Sequence, residues 1–477
     1  MTDHPVIIQG GMGVAVSDWR LARAVSSEGQ LGVVSGTAID AVLVRRLQLG
    51  DPGGHIRRAL DAFPIPDIVD DILDRYFIQG GKAPEARFKQ KPMGKLKLSR
   101  RLEDLLVVSN FVEVWLAKKG HANPVGINFL EKIQAPTLPS LYGAMLAGVD
   151  HVLVGAGIPR AIPGILDRLA EGLPVEMKID MKKATPEDDP YLRFDPVEYG
   201  GDPLPPIKRP HFLAIVASHV LATMLVRRVE SRVDGFIIEG PTAGGHNAPP
   251  RVKAGLNERG EPIYGEKDIP DLEVFRELGR PFWLAGSYAR PEQVKLALCE
   301  GAAGVQVGTA FAYCEESGLQ PYVKARILKK SRQKRVRVFT DPIGSPTGFP
   351  FKVVELAETL TDQKVYAKRT RICDLGYLRT AYIDEDGKKG WRCPSEPVDD
   401  YLRKGGDIAD TMGRRCLCNA LMSNVGLGQI RRGGSVEPIL VTSGDDVAEV
   451  ARFLADGASS YRAKDVVDHL LGGVVTG

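Results

Sequence analysis

Eight short runs of apolar, largely β-branched residues punctuate the chain, each closing on Gly, Ser or Asn. They are Val6–Gln9, Leu31–Ser35, Pro124–Asn128, His151–Gly155, Leu213–Ala217, Gly235–Glu239, Phe282–Ala285 and Gly304–Gly308. The runs are continuous rather than alternating, which is the pattern of strands buried on both faces of a parallel sheet. Amphipathic helical patterns lie between several of them, at Asp18–Glu28, Leu138–Ala147, Pro159–Glu171, Val220–Val229 and Pro291–Glu300. Strands and helices alternating in eight units predict an α/β fold, the (β/α)8 TIM barrel. The rival is a doubly wound open sheet of the dinucleotide-binding kind, and no G-x-G-x-x-G follows the first strand to support it.

The spacing of the units is uneven. Insertions fall at about residues 50–101 and 174–211. The first carries helical patterns at Ile56–Phe63 and Asp67–Tyr76 and then a basic stretch. The second carries Val175–Asp180 and Tyr191–Phe194, read as a hairpin or flap. After the sixth strand, Gly244–Pro270 is a long loop rich in Gly, Pro and Asn, of the type that builds barrel active sites. The barrel is expected over 1–318 and a C-terminal Cys-containing extension over 319–477, with a basic helix at Tyr322–Arg337 and helical patterns at Asp445–Ala455 and Ala463–Leu471.

Composition bounds the function classes. A chain of 477 residues buries a large core without covalent staples. Its net charge is +3, from 63 basic and 60 acidic residues, so no nucleic-acid footprint is expected. No apolar run is long enough to span a membrane, and the start, Met1 to Gly11, lacks the basic and apolar regions of a signal peptide. The expectation is a soluble cytoplasmic protein with reduced thiols.

Several residues point to chemistry. Gln9-Gly10-Gly11-Met12-Gly13 ends the first strand, where glycines let the backbone approach a flat ligand or simply make a tight turn. Ala285-Gly286-Ser287 and Gly308-Thr309 end strands seven and eight, where barrels commonly bind phosphate. His246, on the Gly-rich loop after strand six, has the side chain for acid–base work near neutral pH, its ordinary alternative being a solvated loop histidine. Cys373, Cys393, Cys416 and Cys418 have the donor set for Zn²⁺ or an iron–sulfur cluster, against buried free thiols. Cys299 and Cys314 are expected in the core, and His151 and His219, at strand ends, are within reach of the active-site mouth or of core and surface positions.

Val6-Ile7-Ile8-Gln9-Gly10-Gly11-Met12-Gly13, Gly126-Ile127-Asn128, Ile215-Val216-Ala217-Ser218, Ala243-Gly244-Gly245-His246 and Gly304-Val305-Gln306-Val307-Gly308-Thr309 occur in this order. Together they resemble the nitronate monooxygenase (2-nitropropane dioxygenase) family of FMN-binding barrels. That family is similar to FMN-dependent enoyl-acyl-carrier-protein reductases, including stand-alone ones that serve polyketide and polyunsaturated fatty acid synthases. The likeness covers roughly residues 1–318. It implies that Gly11 and Met12 lie against the isoalloxazine, that Asn128 and Gln306 bond flavin or ribityl atoms, and that Gly286, Ser287, Gly308 and Thr309 cradle the phosphate. Gly245 and Ala285 join the cofactor-binding set, and His246 faces the substrate as the catalytic residue. Two departures stand out: Ser287-Tyr288 replaces a second Gly and an aliphatic residue, and Pro241-Thr242-Ala243 replaces an acidic residue before Gly-Gly-His.

The implied activity is that of an FMN-dependent oxidoreductase of the nitronate monooxygenase kind, oxidatively denitrifying alkyl nitronates to a carbonyl compound and nitrite. His246 would then take the α-proton of a nitroalkane or, as imidazolium, hold the anion. The alternative is an NAD(P)H-dependent enoyl-thioester reductase acting in trans with a fatty acid or polyketide synthase. Two basic stretches speak for it: Lys82–Arg101 holds eight basic residues and one acid, and Lys324–Arg337 eight and none. Such stretches suit an acyl carrier protein or CoA phosphates, or are ordinary solvated faces. The insertions offer a docking surface or a homo-oligomer contact. A non-enzymatic scaffold is the third reading.

Overall fold

The computed structural model describes residues 4–201, 207–227, 232–252 and 255–472. Its centre is eight parallel strands: β1 (Ile7–Gln9), β2 (Gly32–Ser35), β3 (Val125–Leu130), β4 (His151–Gly155), β5 (His211–Val216), β6 (Gly235–Glu239), β7 (Phe282–Ala285) and β8 (Gly304–Val307). They lie in the order β1-β8-β7-β6-β5-β4-β3-β2, every pair parallel. The two ends of that order meet. Ile8 bridges Leu31, the Gln9 N–H donates to the Leu31 carbonyl (2.9 Å) and the Leu31 N–H to that of Ile7 (3.1 Å). The buried Gln9 side chain ties the same seam, its Oε1 accepting from the Val33 N–H (3.1 Å) while Nε2 donates to Ser17 Oγ (2.8 Å). The expected (β/α)8 barrel is the observed architecture.

Both strand faces are buried, which explains the continuous apolar runs. Ile8, Val33, Leu153, Leu213, Ile237 and Trp283 fill the barrel interior, while Ile7, Val34, Phe236 and Ile238 pack outward against the helices. Helices follow the strands at Trp19–Ser27, Ile39–Gln48, Thr137–Leu146, Ile162–Ala170, His219–Val226, Leu272–Glu277, Pro291–Cys299 and Thr309–Ala312. The expected helix at Val220–Val229 therefore starts one residue early, and its last two positions lie outside the described residues.

The insertions form His55–Leu60 and Pro66–Tyr76 in one case and a hairpin pairing Val175–Lys178 with Tyr191–Phe194 in the other. Arg100–Ala117, an 18-residue helix after the first insertion, has no counterpart in the sequence reading. It is apolar on nearly every side and thus shows no amphipathic stripe. It packs against Thr137–Leu146 so closely that a Cβ on Gly143 would lie 2.0 Å from the Val107 carbonyl oxygen.

The extension folds over the C-terminal mouth of the barrel. Its hairpin, Val338–Asp341 with Phe351–Val354, and its helix Leu417–Asn424 supply Phe351 and Leu417 to a core shared with Ile133, which Leu440 from the following irregular stretch joins. Leu375, Met422 and Leu427 pack on Val14, Ala38 and Val42, and the insertion strand Met181–Lys182 pairs with Thr380–Ile383. Among the described residues, no helix is long and apolar enough to cross a membrane.

Replacing Gly143 by Val should destabilise the protein by about 1–3 kcal/mol or more, the range for overpacking, because backbone meets backbone there and cannot give way. A lowered urea midpoint measures it, and an unchanged midpoint would refute this packing account.

Candidate active site

The loops at the C-terminal ends of the strands enclose a cavity of about 240 Å³. Its wall brings together Gly11, Met12, Asn128, Gly245, His246, Ala285, Gly286, Ser287, Gln306, Gly308 and Thr309, from five separate stretches of the sequence. Gly11 sits against Asn128: a Cβ would lie 2.2 Å from Asn128 Oδ1, and Asn128 Nδ2 donates to the Gly11 carbonyl (3.1 Å). The Met12 N–H donates to Ser17 Oγ (2.9 Å), which fixes the turn after β1. That turn is held from below by Arg46, which pairs with both Asp18 (2.9 Å) and Glu113 (2.7 Å), while Glu113 accepts from the Trp19 N–H.

The cavity wall carries buried polar atoms without a protein partner: Thr37 Oγ1, Asn128 Oδ1, Ser287 Oγ and Gln306 Oε1. Each such group costs about 1–3 kcal/mol unless a ligand bonds it. They come from four different strand ends around the mouth. At the β7 end, Gly286 (φ +110°) and Ser287 (φ +60°) turn sharply, and a Cβ on Gly286 would lie 2.8 Å from Thr242 Oγ1. The positive φ is what makes glycine necessary there, and Thr242, one of the residues departing from the family pattern, narrows the space further.

The extension completes this end of the site, which the sequence reading did not foresee. The Gly444 N–H donates to Thr309 Oγ1 (3.0 Å), and Ser443, Gly444 and Asp446 line the cavity. Burial pushes the Asp446 carboxyl up from its ordinary range, while its bond to Thr309 draws it down. Gly245 is also engaged, its N–H donating to Thr442 Oγ1 (3.0 Å) and its carbonyl accepting from the Lys352 N–H (2.9 Å). The signal for 442–446 in the sequence is a Gly after Thr-Ser, which is too common to single out.

His246 is fixed by the same partner. It bridges Phe351 in antiparallel fashion, with ring centroids 4.7 Å apart, and its Nε2 shares a hydrogen bond with Ser345 Oγ (2.7 Å). Burial pushes its pKa down to about 4, so the ring is neutral at physiological pH. This removes the imidazolium form of its expected role in the protein before ligand binds. Glu239, at the end of β6, lines the same cavity and was missed because it reads as a strand terminus. Burial pushes its carboxyl up to about 8, leaving it protonated at neutral pH. A neutral base and a protonated acid on one wall are the pairing that acid–base chemistry needs.

Other residues singled out in the sequence lie elsewhere. His151 begins β4 at the opposite end of the barrel, its ring 5.3 Å from His211 and its pKa lowered to about 4, chiefly by burial. The Nδ1 of His219 accepts from the Asp271 N–H, outside the cavity walls. Cys314 is buried as expected, but Cys299 is exposed. The basic stretches are partly engaged within the fold: Lys91 pairs with Asp40 in the interior (2.7 Å), and Lys324 donates to the carbonyls of Cys314, Glu315 and Ser317. Among the described residues, no three His, Cys, Asp or Glu stand as ligands of one metal ion. A tetrahedral zinc set is therefore not formed by Cys373, Cys393, Cys416 and Cys418, although all four line one small cavity.

Comparison with known proteins bears on the same region. The family model described as nitronate monooxygenase matches residues 197–356. A probable nitronate monooxygenase of Bacillus subtilis (strain 168) is 35% identical over 100 residues, which is 21% of this chain and 27% of that protein's length. Among solved structures, FabK from Thermotoga maritima is 18% identical, with 99% of this chain and 92% of that one covered and a TM-score of 0.47. A nitroalkane oxidase from Streptomyces ansochromogenes is 15% identical (98% and 95% covered, TM-score 0.47). The enoyl reductase domain of MlnA from the macrolactin biosynthesis cluster of Bacillus amyloliquefaciens is 12% identical (98% and 93% covered, TM-score 0.48). The likeness to nitronate monooxygenases read from the motifs thus meets a family match over β5 to β8, the stretch that carries Glu239, the Gly-Gly-His loop and the Gly286 turn.

Proposed function

We propose that the chain is an FMN-dependent oxidoreductase. The observation that carries this reading is the set of partnerless polar atoms of Thr37, Asn128, Ser287 and Gln306 around a glycine-lined cavity at the C-terminal barrel face. In it, Gly11 and Met12 would lie against the ring, Asn128 and Gln306 would bond its polar atoms, and the Gly286 and Gly308 turns would take the phosphate. Bound FMN supplies the redox chemistry, and the protein supplies position and proton handling.

Two substrates suit this site. The family match and the Bacillus subtilis relative support the nitronate monooxygenase-like reaction. Neutral His246 then takes the acidic α-proton of a nitroalkane. The shape of the molecule favours the second, an enoyl-thioester reductase using NAD(P)H. A further cavity of about 380 Å³ shares Tyr377 with the first, its walls combining Leu98, Leu102 and Trp391 with Lys91, Lys132 and Arg379. Lys91 and Lys132 are paired there with Asp40 and Asp180, which leaves an apolar wall with Arg379 beside it. Such a wall fits a long thioester arm, such as an acyl carrier protein bears, and a small nitronate has no use for it. In this reaction protonated Glu239 delivers a proton to the substrate's α-carbon. This cavity supports the reductase reading.

Anaerobic mixing of the flavin-loaded protein with NAD(P)H should bleach the flavin while a nitronate leaves it oxidised. Bleaching by nitronate alone, with NAD(P)H inert, would return the assignment to nitronate oxidation. Gly286→Ala should weaken FMN binding roughly tenfold or more, since a strained backbone of this kind costs about 1–3 kcal/mol. Flavin fluorescence titration reads this, and unaltered affinity would remove the turn from the phosphate site. Turnover should fall as pH rises through about 8, where Glu239 loses its proton, and as pH falls through about 4, where His246 gains one. Glu239→Gln should abolish the alkaline limb and lower turnover by about 10²–10⁴-fold. A preserved alkaline limb in that variant would acquit Glu239.

A further inference from the structure

Cys373, Cys393, Cys416 and Cys418 come from three separate segments of the extension, yet all four line a single cavity of about 10 Å³. Cys373 follows the helix Gln363–Lys368, Cys393 follows the strand Lys389–Arg392, and Cys416 and Cys418 open the helix Leu417–Asn424. All four are free thiols. They are all the cysteines of the extension, residues 319–477.

The cavity wall also carries Arg379, Asn419 and one acid, Glu396. Arg369, almost wholly buried, pairs with Glu437 and has an Nη2 with no hydrogen-bond partner. Asn419 Nδ2 donates to Cys416 Sγ (3.4 Å). A single zinc ion would draw four sulfurs to about 2.3 Å from one point. No three of these thiols are so disposed. In an iron–sulfur cluster the four thiolates are shared among several irons, so they ring a volume instead of meeting at a point.

We propose that these four cysteines hold an iron–sulfur cluster in the extension. The site is independent of the assigned reaction, but it adjoins the candidate flavin cavity, since Leu378, Leu417 and Cys418 line both. The full chain, purified without oxygen and reconstituted with ferrous iron and sulfide, should contain about two to four irons with matching acid-labile sulfide. Cys373→Ser and Cys393→Ser should lose them, and Cys299→Ser, in an exposed position away from the cavity, should keep them. Circular dichroism identifies any variant that fails to fold, and the content of the unaltered chain decides the matter by itself. One zinc per chain in place of iron, or no metal after reconstitution, would overturn the proposal.

Discussion

Everything in this molecule hangs on the closure of the sheet at β1. That strand has three residues, yet it pairs with β8 along its length and touches β2 through Ile8 and Gln9. So short a seam has few backbone bonds, and the buried Gln9 amide adds side-chain bonds to Val33 and Ser17 across it. Closure does two things at once. It removes the exposed edges of a parallel sheet, and it aims the Gly10–Gly13 turn across the barrel mouth toward Asn128 and Gln306.

The mouth is not finished by the barrel. Phe351 pairs with His246, Thr442 and Lys352 hold Gly245 from either side, and Gly444 bonds Thr309. The extension is therefore part of the site, and its packing sets the site's electrostatics. Covering the mouth withdraws water from Glu239 and His246, which favours the uncharged form of each and shifts their pKa values in opposite senses. The same covering leaves room for a larger neighbouring cavity across Tyr377, whose hydroxyl is anchored to Asp40 Oδ1 (2.6 Å).

The eight strands were legible because each is a continuous apolar run closed by a small or polar residue, and burial on both faces demands that pattern. The amphipathic helices were legible for the complementary reason, one face being exposed. The helix Arg100–Ala117 was not, because full burial erases the stripe on which the reading depends. Among site residues, Gly11, Asn128, Gly286 and His246 stood out through motifs. Glu239 did not, since a charged residue ending a strand is unremarkable until the loop beyond folds back over it. His151 stayed open between the mouth and a core or surface position, because a histidine bounding a strand can sit at either end of a barrel.

The sequence alone determined the barrel, the turns that line its mouth and the likeness that suggests a flavin, because these rest on local patterns of burial and on glycines needed within a few residues of one another. Only the tertiary structure decided which acid faces the site, which charges are internal and where the four extension cysteines meet. These depend on contacts between residues as far apart as Thr242 and Gly444, or Arg45 and Leu427, and on the desolvation that such contacts impose. No local pattern encodes a partner that distant, and desolvation belongs to the closed mouth as a whole.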